Sequence, residues 1–143
     1  MKDINYILKV IPHRYPFLLV DRILDKDNKK EISTLKNVTI NEHFFQGHFP
    51  EKPVMPGVLL LESMAQSACL IIVDYIDNHD ENLVYLSKVS NFRILKNVIP
   101  GDQIIINAKV LNEKLNCFKF EATCHVAKEL VAKAEFLASV VKK

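Results

Sequence analysis

The chain has 143 residues, the size of one ordinary domain built round a single core. Hydrophobic residues make up 49% of it and charged residues 25%, which excludes a disordered chain, a collagen-like rod and a low-complexity linker. Nineteen basic and 17 acidic side chains leave a net charge of +2, too balanced to hold the protein on nucleic acid or a membrane by overall charge. We therefore predict one domain over residues 1–143 with no nucleic-acid partner.

Location and metal content are also constrained by the sequence. The opening MKDINYILKV mixes acid with base and lacks the long apolar run of a secretory signal. The most apolar window, residues 58–73, is shorter than the ~20 residues that span a bilayer, and it contains Glu62 and three other polar residues. The three cysteines have no CxxC spacing, so we expect small buried apolar residues and not disulfides or a zinc site. We expect a cytoplasmic protein without membrane insertion or bound metal.

The first half of the chain predicts a short helix, a hairpin and a loop. Residues 3–10 favour a helix with Asp3 as N-cap, and the prolines of IPHRYPF end it. The runs LLVDRILD and EISTLKNV flank the polar turn DKDNKK, which is typical of a β-hairpin. Residues 41–57 carry three prolines and two glycines, so we predict an irregular loop, unusually rich in histidine and phenylalanine.

One long helix and a series of strands are predicted for the remainder. The helix begins at Gly57, after Pro56, and runs to about Tyr75. It is apolar nearly all round, so we expect it to be buried on most sides. After Asn82 come four extended runs: LVYLSKVSNFRIL, IIINAKVLNEK, CFKFEATCHVAKE and LVAKAEFLASVV. The predicted fold class is α+β, with an antiparallel sheet curled round a single long helix.

Three short motifs indicate acid–base chemistry: GHFP at 47–50, MPG at 55–57 and Glu62 in the helix. His48 can project towards the helix N-terminus, where unpaired N–H groups favour negative charge. Gly57 lacks a Cβ, so a substrate carbonyl can approach its N–H. A carboxylate such as Glu62 among leucines is costly unless it is paired or functional, and Gln66, at i+4, can orient it. The set predicts proton transfer beside a carbonyl, such as elimination of water.

Each candidate residue also has a structural interpretation. His48 could satisfy backbone groups of its loop, and Glu62 could be a partly exposed helix carboxylate. A metal site at His43 and His48 is disfavoured because there is no HExxH or HxH spacing. His13 is either structural or pocket-lining, and His125 is expected to be solvated on the outer face of its strand.

Three segments carry a resemblance to a known family. They are PHRYPFLLVDRI (12–23), FFQGHFPEKPVMPGVLLLESMAQSA (44–68) and FRI with IPGDQ (92–103). Over these segments the chain resembles the bacterial 3-hydroxyacyl-acyl-carrier-protein dehydratases of type II fatty-acid synthesis, which have the hot-dog fold. The resemblance implies that His48 is the catalytic histidine, Glu62 the catalytic acid, Gly57 the N–H that polarises the thioester carbonyl, and Gln66 the support of the acid. It also implies an acyl tunnel lined by Pro12, His13, Phe49 and Val54.

The mechanism implied by the resemblance agrees with the interpretation of the residues. His48 removes a proton from C2 of a 3-hydroxyacyl thioester, Gly57 N–H stabilises the enolate-like oxygen, and Glu62 helps the C3 hydroxyl to leave. The product is a trans-2-enoyl thioester. Whether His48 or Glu62 protonates the hydroxyl stays open at this point. A glutamate at position 62, where related isomerases have aspartate, favours the dehydratase without isomerase activity.

The resemblance further implies partners but no cofactor. The substrate is carried on the phosphopantetheine arm of an acidic acyl carrier protein, for which we expect a basic docking patch with candidates Arg93, Lys96, Lys128 and Lys133. It implies a homodimer with His from one subunit and Glu from the other, commonly assembled as a trimer of dimers. Two alternatives stand beside the dehydratase: a hot-dog acyl thioesterase, and a non-catalytic acyl-carrier or lipid-binding module. The preferred acyl chain length stays open. It also stays open whether hydroxyacyl chains that enter lipid A synthesis compete for this enzyme.

Overall fold

The computed structural model describes residues 1–143, which form the predicted α+β fold. Two short 3-10 turns, His43–Gln46 and His79–Glu81, lie in the connections. Helices and strands follow the chain in this order: α1 Ile4–Val10, β1 Arg22–Asp27, β2 Glu31–Asn37, α2 Gly57–Ile72, β3 Asn82–Ile94, β4 Gln103–Lys114, β5 Cys117–Val126 and β6 Glu129–Lys142. Asp3 caps α1 as predicted, because its Oδ1 accepts from the N–H groups of Asn5 and Tyr6. No helix is long and apolar enough to cross a bilayer.

The six strands form one antiparallel sheet in the order β1-β2-β4-β5-β6-β3. The helix α2 lies between β2 and β3 in sequence and packs across the inner face, mainly against β2, β4 and β5. A hydrogen bond of 2.7 Å between the hydroxyls of Thr34 on β2 and Ser67 on α2 joins the two layers. The sheet therefore wraps one long helix, which confirms the predicted hot-dog architecture.

Apolar and polar side chains alternate along β5, and the apolar set forms the centre of the core. Phe118, Phe120, Ala122 and Cys124 are buried on the inner face, while Lys119 and Glu121 are exposed. Three cysteines are free, as expected: Cys69 and Cys124 are buried and Cys117 is half-buried. Burial raises the pKa of the Cys69 and Cys124 thiols to about 12, so these thiols stay protonated and act as apolar core residues.

The prediction that α2 is buried on most sides holds for its C-terminal half only. Ten of its 16 residues are buried, but Val58 is 68% exposed, and Leu61, Glu62 and Ala65 are half-buried. Spacings of three and four residues place these four on one face, which we call the helix stripe. The stripe is apolar except for Glu62, so the single chain leaves an apolar surface around its candidate acid uncovered.

Strand β3 forms one edge of the sheet and pairs only with β6. Along it, Tyr85, Leu86, Val89 and Ile94 are exposed apolar residues. A strand of 13 residues with a free edge and exposed apolar side chains is a ready surface for another chain. Together, the helix stripe and the β3 edge leave apolar surface of the single chain uncovered.

Candidate active site

The loop between β2 and α2 fixes the orientation of the His48 ring. Its Nδ1 lies 2.7 Å from the carbonyl oxygen of Val54, and its own carbonyl accepts the Val54 N–H at 2.9 Å. A carbonyl oxygen can only accept, so Nδ1 carries the hydrogen, and Nε2 of the neutral ring has a free lone pair. The ring also stacks on Phe49, with centroids 4.1 Å apart. The half-buried imidazole is thus held in the tautomer that a general base needs.

A buried ion pair anchors the start of this loop. Lys36 is only 5% exposed, and its Nζ donates to Glu42 Oε1 and to the carbonyl of Asn37, both at 2.6 Å. The other oxygen of Glu42 accepts the Thr39 N–H at 3.1 Å. A buried ammonium needs such partners, since desolvation would otherwise cost several kcal/mol. The pair ties residues 39–42 to the end of β2 and so steadies the segment that leads to His48. The sequence analysis missed this pair.

Gly57 begins α2 beside the His48 loop. Pro56 is the N-cap, and the N–H of Gly57 has no acceptor within the chain, as is usual in a first helical turn. A Cβ at this position would collide with the side chain of Ile94, at the end of β3. Gly57 and His48 line the same cavity of about 260 Å³, together with Phe49, Val54, Lys52, Met55, Leu60, Ile94, Lys96, Asn97 and Val98. A base and a residue with a free N–H therefore line the same cavity.

Gln66 holds Glu62 in place on the next turns of α2. The buried amide oxygen of Gln66 accepts the Leu19 N–H at 2.7 Å, and its Nε2 donates to the carbonyl of Phe17 at 2.7 Å. These two backbone groups fix which end of the amide is the donor. The same Nε2 donates to Glu62 Oε1 at 2.9 Å, as the i, i+4 spacing predicted. Oε2 of Glu62 makes no hydrogen bond within the chain and stays available to a ligand.

The pKa values in this cluster shift towards the uncharged forms. Burial raises the pKa of Glu62 above its ordinary value, and the hydrogen bond from Gln66 opposes that rise. Burial also lowers the pKa of His13, and the Arg14 guanidinium adds to this effect. His13 Nε2 lies 3.7 Å from Glu62 Oε1. The apolar surroundings thus favour a protonated Glu62, the form that a general acid requires.

The predicted site residues fall into two groups. His48, Phe49, Val54 and Gly57 share the cavity, whereas Glu62, Gln66 and His13 form a separate cluster. Residues 57 and 62 are five apart, which places them about 140° apart round the helix. No carboxylate oxygen lies within 4.0 Å of His48. One chain therefore does not join the histidine to the acid.

Some peripheral predictions need adjustment. Pro12 is exposed, and it does not line the His48 cavity. His125 was expected to be solvated, but it is half-buried, and its Nδ1 is fully buried without a partner. This prediction was wrong because strand alternation assigns a face to a residue and does not show how neighbouring strands cover it.

The four predicted docking residues lie near one another at the end of the β3–β6 pair, but they do not line one cavity. Lys96 lines the His48 cavity, next to Lys52, which the sequence analysis did not single out, and it is ion-paired with Glu129. Arg93 and Lys133 line a different groove, of about 790 Å³, in company with several carboxylates, and Lys128 lies in the β5–β6 turn. Of the four, only Lys96 lines the cavity that also holds His48 and Gly57.

A family model described as the FabA-like domain matches residues 11–135. The chain belongs to the FabA-like family. It is 49% identical to the 3-hydroxyacyl-[acyl-carrier-protein] dehydratase FabZ of Albidiferax ferrireducens, over 98% of this chain and 95% of that protein. It is 48% identical to the FabZ of Bartonella henselae, over 99% of this chain and 91% of that protein.

Solved structures agree on the fold of this FabA-like chain. The dehydratase heterocomplex ApeI:P from Xenorhabdus doucetiae superposes with a TM-score of 0.81 at 15% identity, over 96% of this chain and 91% of that one. A mutant of the thioesterase PA1618 from Pseudomonas aeruginosa gives 0.73 at 12% identity, over 100% and 96%. A dehydratase and a thioesterase both match at low identity, so the fold alone does not separate the two activities.

Glu62→Gln is expected to stabilise this FabA-like fold at neutral and alkaline pH. Because the folded-state pKa is raised, the carboxyl in the unfolded chain ionises first, near its ordinary value of 4.5, and stability is lost as pH rises towards the folded pKa. The neutral amide avoids this loss. Scanning calorimetry at pH 4 and pH 8 should show a higher Tm for the variant at pH 8, by about 2–4 °C per kcal/mol gained, and little difference at pH 4.

The control for that experiment is Glu51→Gln, at an exposed carboxylate in the loop. It removes the same charge without changing a buried group, so its Tm should follow the parent at both pH values. A Glu62→Gln variant that is less stable than the parent at pH 8 would contradict the raised pKa.

Proposed function

We propose that the protein dehydrates 3-hydroxyacyl-acyl-carrier-protein thioesters to trans-2-enoyl thioesters in fatty-acid synthesis, as a hydro-lyase. The observation that carries this conclusion is near-half identity to FabZ dehydratases over almost the full length of both chains. The site supports it through His48 in the tautomer of a general base, a Gly57 N–H with no acceptor within the chain, and a Glu62 carboxyl whose pKa is raised by burial.

The first half of the proposed mechanism belongs to the His48 cavity. The thioester oxygen accepts from the Gly57 N–H, which faces no competing acceptor within the chain. The positive end of α2 then stabilises the charge that develops on this oxygen. His48 Nε2 takes the C2 proton, and the Val54 carbonyl stabilises the resulting imidazolium through Nδ1–H. These contacts strengthen as charge develops, which is where catalysis gains most.

The second half belongs to Glu62. The C3–O bond breaks as the C2–C3 double bond forms, and the leaving hydroxyl takes the proton of Glu62 and departs as water. Gln66 occupies Oε1, so the proton is delivered from Oε2. His48 returns its proton to Glu62 through solvent, which restores both groups. The scheme uses no metal or other bound cofactor, and the substrate arrives on the phosphopantetheine arm of its carrier.

The proposal includes a site shared between two subunits. The His48 cavity and Glu62 lie on different sides of α2, and Glu62 belongs to the uncovered helix stripe. A second chain that covers the helix stripe and the β3 edge would bring its own His48 loop to this Glu62. We propose a homodimer on this ground. Its assembly into a trimer of dimers and its cytoplasmic location rest on the family resemblance alone.

Docking of the acidic carrier should depend on the two lysines at the cavity. Replacing Lys52 and Lys96 together by glutamine is expected to slow turnover of carrier-bound substrate several-fold at low salt, because electrostatic steering is lost. Turnover of a small thioester should stay unchanged. Rising salt should slow the parent on carrier-bound substrate and bring it to the level of the variant. Steady-state rates at a series of salt concentrations provide the measurement.

Lys119→Gln, at an exposed position on β5, is the control for total charge. It should retain the salt dependence of the parent. In the parent, the rates on carrier-bound substrate and on the small thioester should depend on salt differently. The same salt dependence for both rates would contradict docking at these lysines.

A spectrophotometric assay on thioesters tests the function itself. The enzyme should hydrate a crotonyl thioester and dehydrate a 3-hydroxybutyryl thioester, with loss of one water's mass from a hydroxyacyl carrier protein. Release of free thiol without change in the acyl chain would instead identify a thioesterase. Acyl binding with neither reaction would identify the non-catalytic module.

A further inference from the structure

His13 lies in the connection between α1 and β1, which is held rigidly on both sides. The Arg14 guanidinium donates to the carbonyls of Leu8, Ile11 and His13 at 2.7–2.9 Å. The far end of the connection is fixed to α2 through the hydrogen bonds of Gln66. The imidazole is therefore placed against the helix by its backbone.

The ring nitrogens of His13 lack hydrogen-bond partners in this position. Its side chain is 21% exposed, and its Nδ1 is fully buried with no hydrogen-bond partner. Its Nε2 faces Glu62 Oε1 at 3.7 Å, beyond hydrogen-bond distance. An unmade bond at a buried polar atom costs about 1–3 kcal/mol, so an apolar side chain of similar size would suit a purely packing role better. The ring nitrogen that does face a polar group is Nε2, and its 3.7 Å separation from Glu62 Oε1 is a gap that a small movement would close to a hydrogen bond.

We infer that His13 is a positioning residue, which donates its Nε2–H to the Glu62 carboxylate that exists after the acid has given up its proton. This inference rests on the proposed function. In the protonated acid, Oε1 accepts from Gln66 alone. Once Glu62 is ionised, Oε1 carries charge and draws in the His13 donor, since charge-assisted bonds are shorter and stronger. Arg14, Glu62 and Gln66 are the charged and polar side chains that face the ring.

The role assigned to His13 explains why two donors meet one oxygen. Gln66 and His13 together hold Oε1, so that Oε2 is presented to the leaving hydroxyl both before and after proton transfer. The second donor acts only on the ionised form, so it lowers the barrier to giving up the proton without improving ground-state binding. The loss should appear in kcat and not in KM.

His13→Phe is the first test, because it removes both ring nitrogens and keeps the volume. We expect kcat for thioester dehydration to fall roughly 10- to 100-fold, the worth of a hydrogen bond to a charged group. KM should change little. Without the donor the pKa of Glu62 rises, so the alkaline limb of the kcat/KM profile should move to higher pH. His125→Phe is the control, since that ring also has a buried, unpartnered Nδ1 but no carboxylate oxygen within 4.0 Å. It should keep the parent profile.

A rescue pair distinguishes positioning from packing. Glutamine places an amide N–H near the Nε2 position, and asparagine places one near Nδ1. His13→Gln should recover most of the lost kcat and return the alkaline limb towards the parent, and His13→Asn should not. A His13→Phe variant with parental kcat and profile would overturn the role, as would equal activity of the Gln and Asn variants. The comparison of His13→Gln with His13→Asn distinguishes a positioning role from a packing role even if His13→Phe does not fold.

A readout independent of turnover separates this inference from the proposed function. The ¹³C resonance of the Glu62 carboxyl, assigned by its loss in Glu62→Gln, can be titrated in the protein labelled at glutamate. Its midpoint should rise in His13→Phe and return in His13→Gln. Unchanged midpoints would overturn the contact between His13 and the carboxylate. A parent enzyme without dehydratase activity that still shows these shifts would refute the proposed function and leave the contact standing.

Discussion

His48→Ala is expected to reduce dehydration by roughly 10²- to 10⁴-fold, the usual contribution of a general base. The structure gives the reason, since the Val54 carbonyl fixes the hydrogen on Nδ1 and leaves Nε2 as the base in a cavity shared with Gly57. The loss should lie in kcat, because the imidazole acts on a proton that moves only in the transition state. Steady-state kinetics on a 3-hydroxyacyl thioester, with circular dichroism to confirm folding, provide the measurement.

His43→Ala is the matched control for this experiment. His43 belongs to the same loop, five residues earlier, but it is exposed, and its ring lies edge-on to Tyr15 and Phe44. It should retain most of the activity. Near-normal turnover in His48→Ala would remove this histidine from the mechanism and favour the interpretation in which it serves only its loop.

Mixing two inactive variants should restore activity if the site is shared. When His48→Ala and Glu62→Ala chains are unfolded and refolded together, random pairing makes half of the dimers mixed. Each mixed dimer holds one intact pair out of two sites, so activity should approach about a quarter of the parent. Neither variant refolded alone has an intact pair. We expect recovery because Gly57, which shares the cavity of His48, and Glu62 lie about 140° apart round α2. One chain therefore does not bring His48 and Glu62 together.

The control for mixing is proof that chains exchange. Native mass spectrometry with one variant isotopically labelled should show the mixed species in the expected proportion. No recovery of activity when mixed dimers are present would place His48 and Glu62 in one chain, and it would require a movement that joins the two groups. The acid–base chemistry itself would survive that outcome.

Much of the fold was predictable because it rests on local rules. Periodicity predicted every helix and strand, and Pro56 with Gly57 marked the start of α2. The edge position of β3 was not predictable, since the sheet order depends on long-range pairing. The apolar composition of α2 predicted burial, which holds for its C-terminal half, but it did not show that the helix stripe is left uncovered by the chain.

Spacing predicted single contacts of the candidate site better than the arrangement of the whole site. Spacing linked Glu62 to Gln66 because i, i+4 neighbours meet on a helix, and the hydrogen bond is present. Spacing also suggested one pocket for His48, Gly57 and Glu62, and here the rotation of the helix separates the acid from the others. The contact of His13 with Glu62 joins residues 49 apart in the chain, and no local pattern contains it.

The hydrogen bond between His48 and Val54 has a consequence for each catalytic cycle. Nδ1–H donates to the same carbonyl whether Nε2 is bare or protonated, so the ring can take up and release a proton without turning or changing partners. The peptide dipole that accepts this bond already points in the direction that favours the imidazolium. Little reorganisation energy is then spent on the base when it takes up or releases a proton.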